Sequence, residues 1–169
     1  VLKPDERTAV CSGYVIARIF ELAGLPAGLL HVLPGGAEAG EALTLDENIA
    51  SIQFTGSTQV GRMVGANAGK TLKKVSLELG GKNSLIILDD ADIERAAENI
   101  VWGAFLHSGQ ICMTSGKILV QEAIYERLKA RVTEKTRQLV VGNPAQENVT
   151  IGPLIDEKQC RRVADLVQA

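Results

Sequence analysis

Ile49-Ala50-Ser51-Ile52-Gln53-Phe54-Thr55-Gly56-Ser57-Thr58-Gln59-Val60-Gly61 is the stretch from which the fold is read. Ile49 to Phe54 has the length and composition of a buried strand. A helix pattern follows over 57–68, with Ser57 or Thr58 available as its N-cap. Gly56 permits the tight turn between the two, and Gly61 lets the helix lie close to a sheet. Free N–H groups at such a helix start, beside the Ser57 hydroxyl, can dock a phosphate. The glycine spacing is GxxxxG, which is neither the dinucleotide fingerprint GxGxxG nor a P-loop. Alone, the junction stands between a plain glycine turn before a capped helix and a nucleotide-binding edge.

On either side of this junction strand and helix patterns continue to alternate. Residues 8–23 read as a helix with Cys11, Val15, Ile19 and Leu22 on one face, ended by Gly24 and Pro26. Leu29 to Leu33 reads as a short buried strand closed by Pro34-Gly35-Gly36. Downstream, Lys73 to Leu79 is a strand ended by Gly80-Gly81, and Ser84 to Leu88 is the next. Asp89, Asp90 and Asp92 lead a helix carrying Ile93, Ala96, Ala97, Ile100, Val101, Ala104 and Phe105, and acids at that end suit the helix dipole. His107-Ser108-Gly109 closes it. Ile118 to Val120 is a strand, Ile124 to Leu139 a long helix, and Asp156 to Ala169 a final one. Apolar, non-alternating strands separated by helices predict an α/β fold with a parallel sheet and helices on both faces. Gly80-Gly81 is the best internal break.

Composition narrows the function. Of 169 residues, 46% are apolar, which is enough to bury a core and argues against disorder. Lys and Arg (18) are outnumbered by Asp and Glu (20) and are scattered, which argues against nucleic acid as a partner. No apolar run approaches the ~20 residues that span a bilayer, so no membrane partner is expected and the cytoplasm is the default location. Cys11, Cys112 and Cys160 are too few and too far apart for a disulfide framework, and no Cys/His cluster suggests a metal. The only methionines are Met63 and Met113, and the last helix stops without a terminator, so a truncated chain is expected.

Several residues can carry chemistry. Cys112 lies in the loop Gly109-Gln110-Ile111-Cys112, where a thiol can be exposed and activated by nearby N–H groups, or can be a small buried hydrophobe. Cys11 and Cys160, on helices among apolar neighbours, read as buried hydrophobes. Glu78, in Leu77-Glu78-Leu79-Gly80-Gly81-Lys82, ends an apolar strand, where open α/β sheets place ligands. There it is either a partly desolvated base or a structural acid paired with Lys82. Lys3 and Glu6 are able to hydrogen-bond a ribose, or are two solvated charges. His107 is either a partner for the thiol or a helix-end cap, and Trp102 reads as core.

Together these pieces resemble the aldehyde dehydrogenase superfamily. Its FTGS motif appears as Phe54-Thr55-Gly56-Ser57, its LELGGK motif as Leu77 to Lys82, and its GQxC motif as Gly109 to Cys112. Its Lys-x-x-Glu ribose contact appears as Lys3-Pro4-Asp5-Glu6. Smaller family-like pieces follow at Val141-Gly142-Asn143-Pro144 and Gly152-Pro153-Leu154-Ile155. Four motifs in register over the whole length are specific where one is weak.

The resemblance implies oxidation of an aldehyde to a carboxylic acid with a nicotinamide cofactor. Cys112 is the implied nucleophile and Glu78 the implied base. Lys3 and Glu6 would hold the adenosine ribose; a carboxylate there repels a 2′-phosphate, which favours NAD over NADP. Ser57 would touch the pyrophosphate, Thr55 would lie under the nicotinamide, and Leu79 and Gly80 would offer main-chain groups to the carboxamide. Gly56 and Gly61 shape the same edge. The family's Pro-Trp-Asn and Glu-x-Phe segments and its oligomerisation strand are absent. The chain is therefore expected to be a central piece: residues 1–79 the later part of the NAD-binding domain, residues 80–169 the first part of the catalytic domain. The parent enzyme is expected to be a homodimer or homotetramer. His107 to Thr114 most resembles the branch acting on aromatic aldehydes, the benzaldehyde, salicylaldehyde and vanillin dehydrogenases. Two other classes remain: a truncated, non-catalytic nucleotide-binding module, and a thiol redox sensor using Cys112.

Overall fold

Ser51, Ile52, Gln53 and Phe54 alternate in polarity, and Ser51–Gly56 forms strand β1 with alternating exposure, two residues later than the apolar run suggests. The computed structural model describes residues 1–169 and divides into two compact units, Val1–Leu79 and Gly80–Ala169. No helix is long and apolar enough to cross a membrane.

In the first unit β1 lies parallel to β2 (Lys74–Leu79), in register from Ser51 opposite Lys74 to Gly56 opposite Leu79. A parallel pair needs a crossover, and helix α3 (Thr58–Lys70) supplies it. Ser57 is the N-cap, its Oγ accepting from the Val60 N–H at 3.3 Å. The helix buries Gly61, Val64 and Ala68. A Cβ on Gly61 would lie 2.5 Å from Leu79 Cδ2, so the missing side chain is what allows the first turn of α3 to sit on the end of β2. One turn later a Cβ on Gly65 would meet Leu77 at an ordinary 3.5 Å.

The N-terminal part departs further from expectation. Val10–Tyr14 is a wide π-type turn leading into helix α1 (Val15–Leu22). The face that packs is Gly13, beneath Pro4 and Val32. The apolar stripe of Cys11, Val15, Ile19 and Leu22 consequently points outward, and Cys11 is exposed, correcting its reading as a buried hydrophobe. Leu29 to Leu33 is not a strand: it makes one parallel bridge, Leu2 to Val32. Pro4 lacks the N–H to extend that ladder, and Leu29 stays exposed. Helix α2 (Ala37–Leu45) was not foreseen, because Ala37-Glu38-Ala39-Gly40-Glu41-Ala42 has no apolar period. Its end is held from below: Lys73 Nζ donates to Thr44 O at 3.0 Å and to Asp46 O, and Asn67 Nδ2 donates to Thr44 Oγ1 at 3.0 Å.

In the second unit β3 (Asn83–Ile87) runs parallel to β4 (Ser115–Val120), with a register shift between Asn83 and Ser84. Helix α4 (Ile93–Phe105) begins at Asp92, whose carboxylate accepts from the Arg95 N–H at 2.8 Å. Ala96, Ala97 and Ile100 pack with Ile87, and with Ile124 and Leu128 at the start of helix α5 (Tyr125–Arg137), to form the core. Small alanines let α4 approach the sheet and α5 together. Outside that contact the two helices are joined by Arg131, which pairs with Glu94 at 2.5 Å, and by Lys135, which reaches Glu94 and Glu98. Trp102 is 64% exposed, on the side of α4 away from this contact, which corrects its reading as core. The last helix, α6 (Glu157–Gln168), buries no residue of its own, so Cys160 is exposed as well, against expectation. The other face of β3–β4, with Ile86 and Leu119, is bare.

Candidate active site

The carboxyl ends of β1 and β2 bring one group of expected site residues together. Thr55 stands opposite Glu78, and Gly56 opposite Leu79. Ser57 follows directly as the cap of α3, whose first N–H groups have no partner within the helix. An edge with an exposed hydroxyl at Thr55, a capping hydroxyl at Ser57 and a helix N-terminus has the donors a pyrophosphate requires. Gly61 keeps that N-terminus against Leu79. Glu78 is exposed at the strand end, so Leu77 and Leu79 do not desolvate it within this unit. The partner suggested for it, Lys82, lays its stem over Gly116.

Lys3 and Glu6 meet at the turn that starts α2. Lys3 Nζ donates to Pro4 O at 2.8 Å and Gly35 O at 2.6 Å. An ammonium carries three protons, so one donor remains for a ligand hydroxyl. Glu6 holds its carboxylate over Gly36, where a Cβ would come within 2.8 Å of Oε2. Gly36 is the N-cap of α2, and the positive end of the helix dipole favours an anion there. Between them Asp5 is held by Arg7, whose hydrogen bonds lower its carboxyl to about 2. The set of one spare ammonium proton and one exposed carboxylate beside a helix start has the donor and acceptor that a ribose diol requires.

Cys112 is exposed on the loop between α4 and β4. That loop begins with three consecutive left-handed residues, His107 (φ 50°), Ser108 (φ 60°) and Gly109 (φ 72°). For the two that are not glycine this costs about 1 kcal/mol each, and side chains hold the turn in place. Ser108 Oγ donates to Gly152 O at 2.8 Å, and Gln110 Oε1 accepts from the Ile155 N–H at 3.0 Å. The family-like segment Gly152 to Ile155 is thus a brace for the cysteine loop. Asn83 Nδ2 donates to Cys112 O at 2.7 Å, and Thr114 Oγ1 donates to Ile111 O at 2.7 Å. The His107 ring is exposed and makes no hydrogen bond to the thiol.

Asn83, Ser108, Gln110 and Thr114 were not singled out as site residues from the sequence. The available signal was adjacency: Asn83 follows Gly80-Gly81-Lys82 directly, and the other three surround Cys112. Polar side chains that bond main chain 29 to 45 residues away have no local pattern to announce them.

Comparison with known proteins completes the picture. The profile of the aldehyde dehydrogenase family matches residues 1–169. Over 167 residues the chain is 54% identical to vanillin dehydrogenase of an Amycolatopsis species, covering 99% of this chain and 34% of that protein. It is 50% identical over 169 residues to a benzaldehyde dehydrogenase [NAD(+)] of Pseudomonas putida, covering all of this chain and 35% of that one. Among solved structures, an NAD-dependent aldehyde dehydrogenase from Sinorhizobium meliloti superposes with a TM-score of 0.96 at 38% identity, over 99% of this chain and 33% of that one. The chain spans about a third of the length of the curated relatives it matches.

Proposed function

Because the chain belongs to the aldehyde dehydrogenase family, we propose that the full-length protein oxidises an aromatic aldehyde to its carboxylic acid with NAD, using Cys112 as nucleophile and Glu78 as base. The observation that carries the reading is the pairing of Glu78 with Thr55 at a strand end beside the capped start of α3. The names of two relatives that share half or more of this chain's residues support the aromatic class. Residues 1–79 serve as the later part of the cofactor domain and residues 80–169 as the first part of the catalytic domain. The same reading carries a homodimeric or homotetrameric assembly and a cytoplasmic location.

NAD, when bound, supplies the hydride acceptor. Ser57 and the free N–H groups of α3 hold its pyrophosphate, Thr55 and the main chain of Leu79 and Gly80 its nicotinamide end, and Lys3 with Glu6 its adenosine ribose. Glu6 repels a 2′-phosphate, which selects NAD over NADP. The Cys112 thiolate forms a C–S bond with the aldehyde carbon while the carbonyl π electrons move to oxygen. The Cys112 N–H donates to that oxyanion. Covalent attachment fixes the carbon that gives up its hydride. Glu78 then takes a proton from a water that adds to the resulting thioester; the C–S bond breaks, the acid leaves and the thiolate returns.

The test is NADH production by the full-length protein with benzaldehyde-type and short aliphatic aldehydes, beside residues 1–169 alone. Turnover by the full-length protein, faster with the aromatic substrates and with NAD than with NADP, is expected. A full-length protein that reduces neither NAD nor NADP with any aldehyde would overturn this reading in favour of residues 1–169 as a non-catalytic nucleotide-binding module.

A further inference from the structure

Two peptide units flank the Cys112 Cα, and a different side chain holds each. The unit joining residues 111 and 112 carries the Cys112 N–H on one side and Ile111 O on the other, pointing in opposite directions because the peptide is trans and planar. Thr114 Oγ1 donates to Ile111 O at 2.7 Å, and the Thr114 N–H donates to the same oxygen at 3.1 Å. The next unit is held through Cys112 O, which accepts from Asn83 Nδ2 at 2.7 Å, and the same nitrogen reaches Thr114 O at 3.3 Å. The two amide protons of Asn83 thereby close the turn from Cys112 to Thr114.

Asn83 reaches the loop because of the register shift at the start of β3. Asn83 pairs with Ser115 and Ser84 with Lys117, so Gly116 has no partner. Such an irregularity re-aims the side chain beside it. Gly116 lies under the Lys82 stem, where a Cβ would collide with it. Lys82, Asn83 and Gly116 therefore form one local device at the base of the loop.

We infer that Thr114 and Asn83 are positioning residues for the oxyanion donor: by holding the Ile111 and Cys112 carbonyls they fix the direction of the Cys112 N–H. Fixing both neighbouring peptide planes fixes the direction in which the Cys112 N–H leaves the main chain, while the thiol keeps its own rotation about Cα–Cβ. Donation onto Ile111 O also polarises that peptide and strengthens the N–H at its other end. The inference rests on the proposed reaction, in which Cys112 is the nucleophile.

The experiment uses the full-length protein and two readouts: the pre-steady-state NADH burst, and the rate at which iodoacetamide alkylates Cys112. Thr114→Val removes the hydroxyl donor at nearly constant volume, and Thr114→Ser restores it. Deleting a whole oxyanion donor costs ~100-fold or more in kcat; misaiming one is expected to lower the Thr114→Val burst rate about tenfold. Its alkylation rate and KM for NAD should stay within about twofold of wild type, and Thr114→Ser should recover the burst. Asn83→Ala should lower the burst in the same way and covers the case in which Thr114→Val does not fold. A full burst in both variants overturns the inference. So does a Thr114→Ser protein as slow as Thr114→Val, or a burst loss matched by an equal loss of alkylation. Failure of the underlying reading looks different: the wild-type protein itself gives no burst with any aldehyde.

Discussion

The edge at Thr55, Ser57 and Glu78 and the loop at Cys112 are built by opposite means. The first is regular main chain: two parallel strands in register, a capped helix start, and a glycine that lets helix and strand touch. The second is irregular main chain clamped by side chains from Asn83, Ser108, Gln110 and Thr114. A regular edge is held by many weak, interchangeable contacts, whereas a clamped loop depends on a few hydrogen bonds worth about 1 kcal/mol each. In stability, though not in chemistry, the edge should therefore tolerate polar substitutions and resist bulk, and the loop the reverse.

The largest effect expected on this comparison is at the loop. Cys112→Ser in the full-length protein should cut the steady-state rate of NADH formation by ~10⁴-fold or more, since an alcohol without a thiolate's nucleophilicity is left at the reacting carbon. Retained turnover would remove the thiol from the chemistry. At the edge, Glu78→Gln should leave the first burst of NADH intact while slowing the following steady state by ~10²- to 10⁴-fold. A burst lost together with the steady state would make Glu78 a residue of the first step, not of hydrolysis.

Much of the edge was legible in the sequence, because each of its parts is local. Ser57, one of the two caps the sequence offers, caps the helix that follows it. Strands read at 49–54 and 73–79 stand at Ser51–Gly56 and Lys74–Leu79, and their parallel pairing follows from the intervening helix. The loop was legible only as a motif around Cys112. Three of its four clamps, from Asn83, Ser108 and Gln110, join residues far apart in the chain, and nothing in Ser108 or Asn83 themselves declares which carbonyl they meet. The failures at Cys11, Cys160 and Trp102 have one physical root. Each was placed inside on the strength of helical spacing among apolar neighbours, yet the turn before α1 packs through Gly13, α4 packs through alanines, and α6 buries none of its residues. Leu29 to Leu33 failed differently: a strand requires a partner of matching length, and Leu2 offers a single bridge.

The claim that bulk, not polarity, is what the edge resists can be sharpened with two glycines one turn apart. Gly61→Ala sets a Cβ 2.5 Å from Leu79 Cδ2 and 3.3 Å from its Cγ, so Leu79 has to shift at the strand end next to Glu78. A loss of about 1 kcal/mol is expected, with a raised KM for NAD. Gly65→Ala meets only ordinary contact with Leu77 at 3.5 Å, and the helix propensity of alanine should stabilise the protein by up to ~1 kcal/mol. Denaturant midpoints of the two variants should move in opposite directions. If both fall, α3 lies too close to the sheet along its whole length, and Gly61 has no special relation to the edge.

The smallest effect concerns the ion pairs between α4 and α5. In the second unit α4 and α5 are tied by Arg131 to Glu94, with Lys135 beside them, and the Arg131 hydrogen bonds hold the Glu94 carboxyl down from 4.5 to about 2. In the first unit Asp5 is held at a similar value by Arg7, but that pair is two residues apart and joins no separate elements. A carboxyl with a lowered folded-state pKa stabilises the fold above its unfolded value and loses that contribution as pH falls toward the folded one. The advantage of wild type over Glu94→Gln should accordingly be complete above 4.5 and vanish as the pH approaches about 2. Exposed pairs contribute little, so the gap in denaturation midpoint should be small and should shrink with added salt. Arg7 lies two residues from Asp5 and can pair with it in the unfolded chain as well, so part of the lowering is shared by both states and Asp5→Asn should show a smaller gap than Glu94→Gln. A pH-dependent gap of equal size in both variants would mean that acid acts on net charge and not on the α4–α5 tie, and the contrast between a locally held and a long-range-held unit would not extend to these ion pairs.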